Sequence, residues 1–116
     1  MYVDGFVIPV PTDRIEDYRE MAELGATVWM EHGAISYVEA CADDVPQGEV
    51  TSFPMAVKLE QGEVVFFSWI TYRDRAHRDE VNRKVMEDPR MNCEPDTAPF
   101  EAKRMIYGGF TAMVQR

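Results

Sequence analysis

The stretch that decides the fold is Val64–Asp79, VVFFSWITYRDRAHRD. Its first nine residues are β-branched or aromatic except for Ser68, the composition of a strand buried on at least one side. Arg73 and Asp74 then break the run, and Asp74 is a helix-capping residue type placed just ahead of a polar segment. In that segment Val81 and Val85 recur four apart, and Pro89 stops it. A strand followed directly by an amphipathic helix is the expectation.

Outward from this pair, MYVDGFVIPV at the N-terminus alternates and is rich in strand formers, with Pro9 and Pro11 expected to close it. From Asp13 the period changes. Ile15, Tyr18, Ala22, Gly25, Trp29 and His32 recur at steps of three and four, which predicts a helix over 13–32. Asp13 with Glu16 resembles a capping box, and Gly33 is the expected left-handed stop. AISYVEACA returns to a strand. The segment DDVPQGEVTSFPMAVKLEQGE reads as a long connection with a short strand or a helical turn near Met55–Leu59. After a proline-containing loop, RMIYGGFTAMV is the last strand. The order β-α-β-β-α-β predicts one ferredoxin-like α+β domain over residues 1–116, a four-stranded antiparallel sheet with two helices on one face.

The bulk numbers narrow the function. A net charge of −9 opposes nucleic acid and anionic membranes, since phosphate binding needs Lys and Arg to displace counterions. The basic residues between Arg73 and Arg90 alternate with Asp74, Asp79, Glu80, Glu87 and Asp88, as on a solvated, ion-paired helix. No apolar run approaches the ~20 residues of a membrane helix, and the N-terminus reads as a strand rather than a signal peptide, so a cytoplasmic protein is expected. Cys41 and Cys93 are expected as free thiols. His32 and His77 lack ligand spacing, so no metal and no cofactor are expected.

Alternation splits each strand into two sets. The small aliphatic sets, Val3, Gly5, Val7 with Ser36, Val38, Ala40 and Ile106, Gly108, Phe110, Ala112, suit close helix packing and are assigned to the covered face. The opposite sets hold Tyr2, Asp4, Phe6, Tyr37, Glu39, Cys41, Tyr107 and Met113, too apolar a surface to leave in water. A second copy is the simplest cover, which predicts a homodimer whose two sheets enclose a cavity. Strand three is apolar on both sides, so its phase stays open. Asp4, Tyr37, Glu39 and Tyr107 would line that cavity, with Trp69 available to stack on a planar ligand. A small, partly aromatic metabolite is the expected ligand. Asp4 and Glu39 are the candidate catalytic groups, as proton-transfer residues assisted by tyrosine.

The segments YVDGFVIPVP, ADDVPQGEVTSFPMAVK, VVFFSWITY, RDEVNRKVMEDPRM and KRMIYGGF resemble the YbaA-like family of small bacterial proteins of unknown function, over nearly the whole chain. That family is similar to the dimeric α+β barrel superfamily, which implies the fold and the homodimer but no established activity. The superfamily includes cofactor-independent oxygenases and haem-degrading monooxygenases. The haem-degrading branch uses an Asn, a Trp and a His, for which the resemblance offers Asp4, Trp69 and, early in its helix, His77. A rival reading is a non-catalytic structural or regulatory dimer with no ligand cavity. RNA recognition is set aside, because FFSWITY has neither the glycine nor the base that an RNA-recognition strand requires.

Overall fold

The computed structural model describes residues 1–92 and 98–116. Cys93, expected as a free thiol, lies outside the described residues. Four strands, β1 (Tyr2–Pro11), β2 (Ser36–Cys41), β3 (Glu63–Tyr72) and β4 (Ile106–Thr111), form one sheet in the order β2-β3-β1-β4. Every neighbouring pair is antiparallel. Helices α1 (Ile15–Glu31) and α3 (Arg75–Glu87) lie on one face, and α2 (Phe53–Ala56) is a single turn in the β2–β3 connection. The architecture is α+β, with the helix-bearing connections where the sequence pattern puts them.

The long helices form for legible reasons. Asp74 accepts a hydrogen bond from the His77 amide at 2.8 Å, the expected cap of α3, and Val81 and Val85 are its buried stripe. Gly33 ends α1 with φ +111°, a conformation that disfavours any side chain. The capping box expected at Asp13 does not form. A 3₁₀ turn over Thr12–Arg14 leads into α1, with no side-chain cap.

β1 runs through both prolines rather than stopping at them. The Val65 carbonyl accepts from Ala42 on the β2 side, so Val65 turns its backbone groups away from Pro9, its partner in β1. Pro9 and Pro11 therefore face the β4 side, where pairing ends at Val7–Ile106. No ladder bond is lost, which is the setting in which strand proline is tolerated.

Under α1 and α3 the core divides into two buried clusters. Tyr2, Val28, Ile70, Tyr72, Val81 and Val85 pack at one end, and Ile8, Val10, Tyr18, Ala22 and Phe66 at the other. The covered face is therefore the one carrying Tyr2, Ile8 and Phe66, the reverse of the expected assignment. The larger side chains span the gap to the helices, while the small set faces away. On that other face the β2–β3 connection covers only one region, where Val57 is buried against Val7 and Val65. The remainder is open. Phe67, Ile106 and Phe110 are 42%, 44% and 64% exposed there.

Candidate functional site

The register sorts the candidate residues into rows across the sheet. Glu39, Ser68, Phe6 and Tyr107 form one row on the helix side, and Tyr37, Ile70, Asp4 and Gly109 form the next. Val38, Trp69, Gly5 and Gly108 form a row on the open face. Asp4, Tyr37 and Glu39 thus lie beneath the helices, whereas the strand pattern predicts them on the uncovered face, lining a cavity between two sheets. Trp69 points to the opposite side from Asp4, so the Asp4–Trp69–His77 trio does not share one cavity. Tyr107 is on the helix side of β4 but 74% exposed, its ring stacked 6.3 Å from Phe6.

Glu39 is the centre of the site. Its Oε1 accepts the Tyr18 hydroxyl at 2.6 Å and its Oε2 the Tyr37 hydroxyl at 3.3 Å. Tyr18 comes from the buried stripe of α1, where its ring packs on Phe66 at 4.7 Å and Phe100 at 5.9 Å. Tyr37 reaches the carboxylate because residue 25 of α1 is glycine. A Cβ there would lie 2.8 Å from the Tyr37 hydroxyl, closer than any ordinary contact. Glycine inside a helix costs about 1 kcal/mol relative to alanine, so this position exchanges helix stability for a close approach. Burial raises the Glu39 carboxyl pKa, and the two phenol hydrogen bonds offset part of that rise. Burial beside this carboxylate pushes both tyrosines upward, so they remain protonated donors.

Asp4 occupies a different environment. It is buried, 3.7 Å from Arg78 Nε, and Arg78 also donates to the Tyr2 hydroxyl at 2.8 Å while lying over the Tyr2 ring. Gly109 leaves the room for this group, since a side chain there would collide with Tyr2 and Arg78. Arg78 Nε is buried without a hydrogen-bond partner among the described residues, so its link to Asp4 is an ion pair only. Of the two expected proton-transfer carboxylates, Asp4 is compensated by a cation and Glu39 by neutral hydroxyls. A buried carboxyl of the second kind holds its proton to higher pH than an exposed one, because no cation offsets the desolvation of its charge.

Two cavities meet at Glu39. An outer cleft of about 390 Å³ is lined by Ile15, Arg19, Ala22, Glu23 and Cys41 together with the Glu39 group. An inner chamber of about 200 Å³ lies between α1 and the sheet, walled by Phe6, Trp29, Ile70 and Phe100. Tyr18, Tyr37 and Glu39 line both. The Trp29 indole is fixed by its N–H bond to Asn82 of α3 at 3.0 Å. Cys41 is exposed at the cleft. His77 accepts the Arg73 amide at Nδ1, 3.0 Å away, and its ring meets the edge of Tyr72, a role within the β3–α3 turn.

A family model described as "Protein of unknown function (DUF1428)" matches residues 1–102. The chain belongs to this family. It is 52% identical over 113 residues, 97% of each chain, to "Uncharacterized protein YbaA" of Escherichia coli strain K12. The protein of that name from Shigella flexneri matches to the same extent. The resemblance drawn from YVDGF and KRMIYGGF is thereby shown, and these family members carry no stated activity to transfer. Among the described residues no helix is long and apolar enough to cross a membrane.

Tyr18, Trp29 and Ser68 are site residues that sequence reasoning passed over. Tyr18 and Trp29 fall on the predicted inward face of α1 and read there as core. The available signal was Gly25, a helix-weakening residue within the same inward stripe.

Proposed function

We propose that the protein binds a small molecule in the helix-side pocket and exchanges a proton with it through Glu39. The observation that carries this reading is the Glu39 carboxyl itself, held by two phenols at the junction of two cavities with its pKa raised by burial. A carboxylate kept only for packing is commonly paired with a cation, as Asp4 is with Arg78. The reading keeps Glu39 and Tyr37 as ligand contacts and moves them from the inter-sheet space to the pocket under α1. Asp4 then serves to anchor α3 to the sheet.

We further propose that the open face pairs with a second copy. Val3, Val38, Trp69 and Phe110 sit there without a charge among them on a chain of net charge −9, and a groove of about 480 Å³ crosses the face over Gly5 and Gly108. Trp69 acts as an interface anchor in this arrangement.

Backbone and side-chain NMR with a library of small ring compounds tests the first proposal. Perturbed signals are expected on Tyr18, Ala22, Tyr37 and Phe66. Perturbations confined to Val3, Phe67 and Phe110, or none with any compound, overturn it. Sedimentation tests the second, with a dimer expected for the native chain and a monomer for Trp69→Glu. A native monomer at micromolar concentration overturns it.

A further inference from the structure

Resting on the pocket reading above, we infer that the inner chamber takes an uncharged single-ring compound bearing a hydroxyl or amino donor, and rejects carboxylates and phosphates. Size comes first. A dry apolar cavity of ~150 Å³ holds one benzene, and the chamber measures about 200 Å³. One six-membered ring with one or two small substituents fills that space, whereas a fused second ring would project through its half-open mouth and lose wall contacts. Phe6, Trp29 and Phe100 offer faces and edges for an aromatic ring.

The polar inventory then sets the ligand's chemistry. The Tyr18 and Tyr37 hydroxyl protons are directed at Glu39, and the Trp29 N–H at Asn82. These donors are already engaged. The remaining capacity is the spare lone pairs of Glu39 and of the two tyrosine oxygens, which accept, and the hydroxyl of Ser68, the buried cross-strand partner of Glu39, which can donate or accept. Among the described residues acceptors outnumber the one free donor, Ser68, so a ligand that engages Glu39 does so by presenting a donor. No Lys, Arg or His lines the chamber among the described residues. An anionic ligand would meet the Glu39 carboxylate with no cation to compensate either charge, or would force it to hold its proton.

The inference differs from the pocket reading in that it specifies charge, donor and ring count, and these are separable by titration. Phenol, aniline, anisole, benzoate, phenyl phosphate and 1-naphthol are titrated at pH 7.5 while the Trp29 indole N–H signal is followed. Phenol and aniline are expected to bind about tenfold or more tighter than benzoate and phenyl phosphate, which corresponds to 1.4 kcal/mol or more. Anisole, which lacks the donor, and 1-naphthol, which has a second ring, are expected to bind several-fold more weakly than phenol. Glu39→Gln is expected to shrink the phenol-to-benzoate ratio to about threefold or less, by removing the charge. Benzoate binding as tightly as phenol overturns the inference on charge, and anisole or 1-naphthol equal to phenol overturns it on donor or size. In each of those cases the pocket reading stands. If Glu39→Gln does not fold, the phenol, anisole and benzoate comparison in the native protein decides alone. Failure of all six compounds to move Trp29 overturns the inference and the pocket reading together.

Discussion

Replacing Tyr18 with phenylalanine removes one oxygen and nothing else from the site. The ring keeps its contacts with Phe66 and Phe100, so no cavity opens and the loss isolates the 2.6 Å hydrogen bond to Glu39. A hydrogen bond to a charged partner contributes about 1.5–3 kcal/mol, and one between neutral groups about 0.5–1.5 kcal/mol. Glu39 titrates above its ordinary 4.5 because burial disfavours the charge. The bond is charge-assisted once pH exceeds that raised midpoint, and well below 4.5 it joins two neutral groups. Tyr18→Phe is expected to destabilise by ~2 kcal/mol at pH 8 and by ~1 kcal/mol at pH 4. For a chain of 116 residues the larger loss lowers Tm by ~8 °C, at ~4 °C per kcal/mol. Urea unfolding of both proteins at the two pH values, with equal slopes, measures the difference. A loss that is the same at both pH values refutes the charge-assisted bond, and no loss at either refutes the bond itself.

Three further outcomes follow from the same geometry. Gly25→Ala adds a methyl group that must move Tyr37 from 2.8 Å to the 3.4 Å of ordinary contact; the usual helix gain of about 1 kcal/mol is expected not to appear, and phenol affinity to fall about tenfold by NMR titration. A Tm rise of ~4 °C with affinity intact would count against the close approach. Glu39→Gln removes a group whose folded pKa lies above its unfolded value, so native stability declines as pH rises from 4.5 through the folded midpoint. The variant's urea midpoint is expected to be flat over that range, and a matching decline would show that another group is responsible. Asp88 behaves oppositely. Hydrogen bonds from Arg90 and His32 hold its carboxyl well below 3.8, so its contribution is complete above that value and is lost as pH falls below it. Asp88→Asn is expected to weaken the acid limb of the stability curve between pH 4 and 2, seen by circular dichroism, and an unchanged limb would contradict the assignment.

The fold was legible where the local signals agreed. VVFFSWITY with Asp74 and the Val81–Val85 pair specifies β3 and α3 through residue type, cap and period together. Gly33 does the same for the end of α1. The boundary at Pro9 was not legible, because whether proline breaks a strand depends on which neighbour it faces, and that is a property of the register. The site was half legible. Alternation correctly grouped Asp4 with Phe6, and Tyr37 with Glu39, since period two is local. It could not say which group the helices cover. Small residues suggested close packing, yet Tyr2, Ile8, Phe66 and Tyr72 fill the layer, and the two carboxylates beside them, Asp4 and Glu39, find partners in Arg78 and Tyr18. Those partners come from distant elements of the chain. Tyr18 and Glu39 are 21 residues apart, and nothing in either local pattern announces the contact.

The proposed function requires Glu39 to be a shielded carboxyl held by two phenols and by no cation, able to exchange a proton with a ligand. Carbon-13 NMR of its side-chain carboxyl across pH 3–9 reads that property directly in the native protein. The expected result is a single midpoint above 4.5 that moves when phenol is added. A midpoint at or below 4.5, unmoved by any ring compound, would show Glu39 to be an ordinary structural acid and would contradict the account.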